Sequence, residues 1–341
     1  MLPASTSCRD INLANKHSFR FNVRAANFVE IQSQLDIEYL QSISQQTNQL
    51  LILSGGTNTV FLSDYDGIIV KPKFNHLIVA SEDDFGIEIE VGASVNWDQA
   101  VQYCLTQGYH GLENLAGIPG DVGAAPVQNI GAYGVSVSDY ITHVTGLWLT
   151  TGETQTMSQS ECEFTYRNSI FKTHPFKNQF LITAVGLRLS KDPVMNLSHK
   201  DVAKIMSEID KTPNNLFNSI KAIRARKLPC PERIPNAGSF FTNPIISPDE
   251  FSSLKQQYPD IPHYSYQKKI KIPAAWMIEQ CGWKGRWCGH VGIYRDHALV
   301  FIQDGAAQPH ELVKLIDQVT SDVQHRFKVC LQPEVVLVGG A

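Results

Sequence analysis

Residues 111–134 read GLENLAGIPGDVGAAPVQNIGAYG, a stretch that holds six of the chain's 23 glycines, two prolines and only two charges. Glycine and proline at that density suggest a backbone shaped to meet a ligand. Glycine also lacks a Cβ and tolerates positive φ, which lets successive backbone N–H groups converge on one anion. Two readings stay open from the residues alone: a phosphate cradle, or tight turns inside a large mixed domain.

At 341 residues, 43% hydrophobic and 18% charged, the chain can fill two or three domains with sizeable cores. A net charge of −4 gives no basic footprint for nucleic acid. The opening MLPASTSCRDINLANKHSFRF has no apolar stretch of signal-peptide length, and no run reaches the ~18 apolar residues of a membrane span. A cytoplasmic protein is expected. Seven cysteines, odd in number and without a C-x-x-C pair, point to reduced thiols, and with no H-E-x-x-H motif no metal is expected.

Hydrophobic patterning predicts a helix over 37–47, strands in LLILSGG and GIIVKP, an alternating strand over 86–97 and a helix over 98–107 ended by Gly108. Strands are expected near 143–150 and 180–190, then two helices. The second carries an apolar stripe of Leu216, Phe217, Ile220 and Ile223, with Lys221, Arg224, Arg226 and Lys227 at its basic end. That end is either a solvated helix terminus or an anion dock. KLPCPERIP, with three prolines in seven residues, reads as a domain boundary. Beyond it a helix begins near Pro309, with Leu312, Leu315, Ile316, Val319 and Val323 at helical spacing, and a last strand is expected over VCLQPEVVLVG.

Neither G-x-G-x-x-G nor G-x-x-x-x-G-K-[ST] occurs, so the glycines belong to another kind of cradle. Read in order, SGGTNTVFL (54–62), the glycine run, CEFTYRNSIFK (162–172), NAGSFFTNP (236–244) and QPEVVLVG (332–339) resemble the UDP-N-acetylenolpyruvoylglucosamine reductases, flavoenzymes of bacterial cell-wall precursor synthesis. The matches run from the first fifth of the chain to its end. HYSYQ (263–267) sits where the longer, type I branch carries a tyrosine-bearing loop over the substrate.

The resemblance implies an α+β fold: a two-part FAD-binding module of the vanillyl-alcohol-oxidase/PCMH type, residues 1–74 with 326–341 and residues 75–228, plus a third α+β substrate-binding domain, 229–325. It implies noncovalent FAD, NADPH as hydride donor and C3 of an enolpyruvyl ether as acceptor, yielding UDP-N-acetylmuramate for peptidoglycan, and hence a part in cell shape and division. A monomer acting on small molecules, with no nucleic-acid or membrane partner, is the corresponding expectation. Gly55, Gly56, Thr57, Asn58 and Thr59 would meet the cofactor's pyrophosphate. Gly117, Ile118, Pro119, Gly120, Gly123, Ala124, Ala125, Gln128, Asn129, Gly131, Ala132 and Tyr133 would surround the rest of it. Tyr166 would fix Arg167 beside the flavin. Lys227 and Asn243 match positions that hold the nucleotide-sugar phosphates and the nicotinamide cofactor, with Arg224 in support and Tyr264 as the lid residue.

The residue types suit that chemistry. Hydride addition at C3 drives electron density through C2 into a carboxylate, so the transition state calls for a cation there and a proton donor at C2. Arg167 supplies the charge, and Ser239 matches the family's proton donor. Without the other motifs, NAGSFF would read as a plain turn into a strand. Glu334, if on a strand, shares a face with Val336 and Val338, so it is either a paired or pKa-raised carboxylate or a water-facing edge residue. The resemblance implies a role beside Arg167 in stabilising the intermediate.

Several positions depart from the family's pattern. Ser54 replaces the usual glycine at the start of the first loop, and Cys230 the aspartate often found between the two prolines. His199 falls where a tyrosine is expected at the substrate diphosphate, and His297 where a glutamine is expected. Two titratable donors there would make substrate affinity fall as pH rises, unless both are uncharged surface donors. Two other classes compete: an FAD-dependent oxidase of the same superfamily, or a noncatalytic flavin or nucleotide-sugar binding module. Covalent oxidases commonly attach flavin through His or Cys in the glycine loops, and residues 54–62 and 112–133 contain neither. A binding module has little need for Arg167, Ser239 and Glu334 together.

Overall fold

Val, Ile and Leu runs on either side of the first glycine turn become strands of a small sheet whose inner strands Arg24–Ile31 and Tyr65–Pro72 are largely buried. In the computed structural model, which describes residues 7–44, 47 and 49–340, that sheet has the order Ser7–Asn12, Arg24–Ile31, Tyr65–Pro72, Leu50–Ile52. Arg24–Ile31 and Leu50–Ile52 both run parallel to Tyr65–Pro72. Val29, Ile31, Ile68 and Val70 are fully buried and share a core with Ile37 and Leu40 of the helix Gln34–Ser44. This helix starts three residues before the expected 37 because the Asp36 carboxylate accepts from the backbone N–H of Gln32 and Ser33 and from the Ser33 hydroxyl. The expected continuation through 45 and 46 lies outside the described residues, and Thr47 is not helical.

Backbone contacts divide the chain into two units. The first comprises Met1–Ile11, Arg24–Gly55 and Tyr65–Arg224. Besides the small sheet it holds a five-stranded antiparallel sheet in the order Thr154–Ser158, Ile141–Trp148, Phe180–Ser190, Gly86–Gly92, Leu77–Glu82. Ile87, Ile89 and Val91 alternate into its core, as period two requires. The strand expected over 86–97 ends at Gly92. Asn96 instead caps the helix Trp97–Thr106, its side chain accepting the Gln99 N–H, and Gly108 follows at φ +78.

The second unit comprises Asn12–Val23, Gly56–Asp64 and Ala225–Ala341. It contains a four-stranded sheet (Asn236–Ser239, Val300–Gln303, Val291–Ile293, Trp287–Cys288), a three-stranded sheet (Ile245–Ile246, Lys269–Lys271, Tyr264–Tyr266) and the helix Pro309–Phe327. That helix buries Leu312, Leu315, Ile316, Val319 and Val323, the stripe read from the sequence. The last strand is much shorter than expected. Only Val336–Val338 is regular, paired parallel to Thr59–Phe61. Pro333 has no N–H to give a ladder, and the chain there makes one isolated bridge to Phe241. The fold as a whole is α+β.

Candidate functional site

Within the first unit the two glycine turns come together. A Cβ on Gly55 would lie 3.2 Å from the Gly120 Cα and 3.5 Å from Asp121 Oδ2, so the absence of a side chain at Gly55 eases the close backbone approach. Ser54, the departure at the head of the first loop, donates its hydroxyl to Asp121 Oδ2 at 2.9 Å and clasps one loop to the other. Burial raises the Asp121 pKa, against the lowering effects of that hydrogen bond and of Lys71 and Lys73. Nothing in the local pattern marked Asp121, since its partner lies 67 residues away.

Gly117 is held from both sides. Its N–H donates to Asp98 Oδ1 at 2.7 Å, and its carbonyl accepts Arg224 Nε at 2.9 Å at a φ of +70. Burial lowers the Arg224 pKa, with Tyr133 and Asp98 favouring the cation and Arg167 opposing it. Lys221 closes the group with a 2.7 Å ion pair to Asp98. The basic helix end thus serves the glycine run, and its two inward cations are Arg224 and Lys221.

The third motif is stitched to the same run. Asn129, itself at φ +43, donates to the Thr165 carbonyl at 3.0 Å, Ser169 to the Val127 carbonyl at 2.8 Å, and Lys172 to both Gln128 Oε1 and the Arg167 carbonyl at 2.9 Å. Arg167 sits at φ +54, a region that arginine rarely occupies, with Nη2 donating to the Gly131 carbonyl at 2.7 Å and the guanidinium 5.7 Å from the Tyr166 ring centre. A Cβ on Gly131 would come within 3.3 Å of the guanidinium and 2.9 Å of the Val135 carbonyl. Gly131 therefore makes room for the arginine, and Lys172 is a cation of this site that sequence reasoning passed over.

In the second unit, Gly56 packs against the segment Asn12–Val23. Asn58 donates Nδ2 to the Glu334 carbonyl at 3.1 Å and accepts the Val336 N–H at 2.9 Å. Ser239 ends the strand Asn236–Ser239, opposite Val300, behind Gly238 at φ +71. Glu334 needs correction. It lies outside the last strand, half-buried, and Val336 is exposed, so the shared apolar face does not exist. Its backbone N–H instead donates to the Phe240 carbonyl at 2.8 Å, which ties it to the residue after Ser239.

Beside the Gly56 turn lies His17, whose imidazole is buried edge-on to the Phe61 ring. Burial pushes its pKa down to about 4, against smaller raising effects from the Phe21 and Thr59 backbone. In the unfolded chain it titrates near 6.5. Above pH 6.5 both states are neutral and the stabilisation is complete. Between 6.5 and about 4 the unfolded chain binds a proton that the folded chain refuses, so stability falls by roughly 1.4 kcal/mol per pH unit, about 3 kcal/mol in all. Urea unfolding at pH 7 and pH 4.5 should show wild type losing about 2–3 kcal/mol more than His17→Asn; equal losses would contradict this.

The remaining residues expected at the substrate are spread over both units. His199 and Arg224 belong to the first; Lys227, Asn243, Tyr264 and His297 belong to the second. His199 caps the helix Lys200–Met206 and stands edge-on to Tyr133, ring centres 5.0 Å apart. Its Nδ1 accepts the Asp201 N–H, and the His297 Nδ1 accepts the Leu299 N–H at 3.2 Å. His199 Nδ1 also lies 3.9 Å from the Asp201 carboxylate. Asn243 Oδ1 accepts the Ala274 N–H at 2.9 Å, and Tyr264 stands half exposed on its hairpin.

The comparisons with known proteins fit this arrangement. Residues 25–158 match the profile of an FAD binding domain, and residues 229–338 match that of the UDP-N-acetylenolpyruvoylglucosamine reductase C-terminal domain. A reductase of that name from Bacteroides fragilis is 39% identical over 329 residues, 95% of this chain and 98% of its own. One from Pasteurella multocida is 40% identical over 329 residues, 95% of each chain. The chain belongs to the UDP-N-acetylenolpyruvoylglucosamine reductase family. A crystal structure of such a reductase from Thermus caldophilus shares its fold, with a TM-score of 0.67 at 18% identity, covering 98% of this chain and 99% of the other. Both glycine-rich stretches lie inside the segment that matches an FAD binding domain. The residues fit such a cofactor: side-chain-free backbone at Gly55 and Gly120, and cations at Arg224, Lys221 and Lys172 gathered around the run. No described helix is long and apolar enough to cross a membrane.

Proposed function

We propose that the chain catalyses the NADPH-dependent reduction of UDP-N-acetylglucosamine enolpyruvate to UDP-N-acetylmuramate with a noncovalently held FAD. The observation that carries this reading is identity of 39–40% to curated reductases over 95% of the chain. When bound, FAD supplies the hydride chemistry between NADPH and C3 of the enolpyruvyl group. The chain's own residues do the rest. Gly55, Gly56, Thr57, Asn58 and Thr59, with the run from Gly117 to Tyr133, hold the cofactor by backbone donors. Arg167 neutralises the carboxylate charge that grows as C3 is reduced, and its fixed place against Gly131 and Tyr166 supports that role. Ser239 delivers the proton to C2, and Glu334 stabilises the same intermediate. His199, Arg224, Lys227, Asn243, Tyr264 and His297 bind substrate or NADPH. The division at 1–74 with 326–341, 75–228 and 229–325, and a monomeric cytoplasmic enzyme, belong to the same reading.

The deciding experiment is anaerobic. Purified yellow protein mixed with NADPH should bleach, and the enolpyruvyl substrate should restore the colour without oxygen. Recovery only on admitting oxygen would make the protein an oxidase and overturn the reading.

A further inference from the structure

We propose that Ser18 is a positioning residue for Ser239, acting through the backbone of Asn236. This inference rests on the reductase reading above for its consequence, although not for the link itself.

Ser18 lies in the segment Asn12–Val23, which no motif marked and which belongs to the second unit. Buried Leu13, Phe19, Phe21 and Val23 anchor the segment, and the Phe19 carbonyl accepts Gln303 Nε2 at 3.0 Å. From that fixed backbone Ser18 reaches two motifs. Its N–H donates to the Gly56 carbonyl at 3.0 Å, and its carbonyl accepts the Asn236 N–H at 3.2 Å. The hydroxyl has one proton and two carbonyls in view: Asn236 at 2.6 Å and Thr57 at 3.4 Å. Distance assigns the proton to Asn236. Asn236, 2% exposed, is the root of the catalytic turn. Its Nδ2 donates to the Ile234 carbonyl at 2.8 Å, while its Oδ1 accepts the Gly238 N–H at 2.9 Å, fixing the left-handed residue that immediately precedes Ser239.

The ladder is irregular at this point: Asn236 pairs with Ile302 and Ser239 with Val300, with a register shift between them. Regular pairing therefore does not fix residues 237 and 238; the Asn236 side chain holds Gly238, and Ser18 holds the Asn236 backbone from which it does so. A proton donor displaced by even a fraction of an ångström loses much of its effect, because its contribution depends on hydrogen-bond reach in the transition state.

Two measurements on the full chain test this. Without added cofactor or substrate, amide exchange at Gly238 and Ser239 should accelerate roughly tenfold in Ser18→Ala and return toward wild type in Ser18→Thr, while the core strands stay unchanged. With FAD bound, bleaching by NADPH should stay within about twofold of wild type, reoxidation by the enolpyruvyl substrate should slow roughly tenfold in kcat with KM unchanged, and Ser18→Thr should restore it. Unchanged exchange in Ser18→Ala overturns the link. Equal slowing of both half-reactions, or loss of FAD or of the folded chain, overturns the positioning role. If wild type itself is not reoxidised by the enolpyruvyl substrate, the reaction reading fails, and the exchange result still decides the link.

Discussion

Ser239→Ala is expected to leave bleaching of the flavin by NADPH within a few-fold of wild type and to slow reoxidation by the enolpyruvyl substrate by roughly 10²–10⁴-fold, the usual contribution of a positioned proton donor. The asymmetry follows from where a proton is needed. Reduction by NADPH moves a hydride and asks nothing of a serine hydroxyl. The second half-reaction builds carbanion character at C2, so a donor at hydrogen-bond distance lowers that barrier alone. Serine is a weak acid, but the centre it protonates in the proposed step is a stronger base. The local structure suits a donor that must be fixed and yet approachable: Ser239 ends a strand, held behind Gly238, and a Cβ on Gly238 would meet no heavy atom within 4 Å. Stopped-flow absorbance of each half-reaction under anaerobic conditions separates the two. Equal slowing of both would assign Ser239 to cofactor geometry, and an unchanged second half would remove it from the chemistry.

Much of this site was legible because glycine leaves a signature that does not depend on distant partners. Gly55, Gly117, Gly120 and Gly131 each do what their residue type allows, close backbone approach or positive φ; that Arg167 stands beside Gly131 was visible only in the structure. What stayed hidden was whatever a residue does for a distant one. Asp121 and Ser18 are ordinary polar residues in turns, and their meaning comes from Ser54, 67 residues away, and Asn236, 218 residues away. Glu334 misled for a different reason. Period-two reasoning assumed a strand running through Pro333, whereas regular pairing begins only at Val336, so the face it was assigned to is not formed. The two histidines show the same limit: the sequence places His199 and His297, but only the structure shows each Nδ1 beside the backbone N–H two residues on.

Gly56→Ala and Gly238→Ala should behave very differently even though the two glycines have nearly the same backbone, φ +64 and +71. Left-handed φ by itself costs a non-glycine residue about 1–2 kcal/mol. For Gly238 that is the whole expected penalty, since the space around it is open. For Gly56 the new methyl would stand 2.1 Å from the Lys16 carbonyl oxygen and 2.8 Å from the His17 Cα. Both are backbone atoms, and they cannot swing aside as a side-chain tip can. The Lys16 and His17 backbone is in turn held by buried Leu13 and Phe19 and by the Ser18 N–H bond to Gly56 itself. Relief therefore requires moving the segment off the glycine loop, breaking that bond and opening a packed contact. A loss of more than ~4 kcal/mol is expected, in the range reserved for backbone and core disruption, against about 1–2 kcal/mol for Gly238→Ala. Urea unfolding of the two variants provides the measurement. Because Gly56 belongs to the proposed pyrophosphate loop, Gly56→Ala should also purify without its yellow colour, while Gly238→Ala retains FAD. Similar midpoints for the two would mean that the loop at Gly56 is free to retreat, and the close approach at Lys16 would not be the constraint that keeps glycine there.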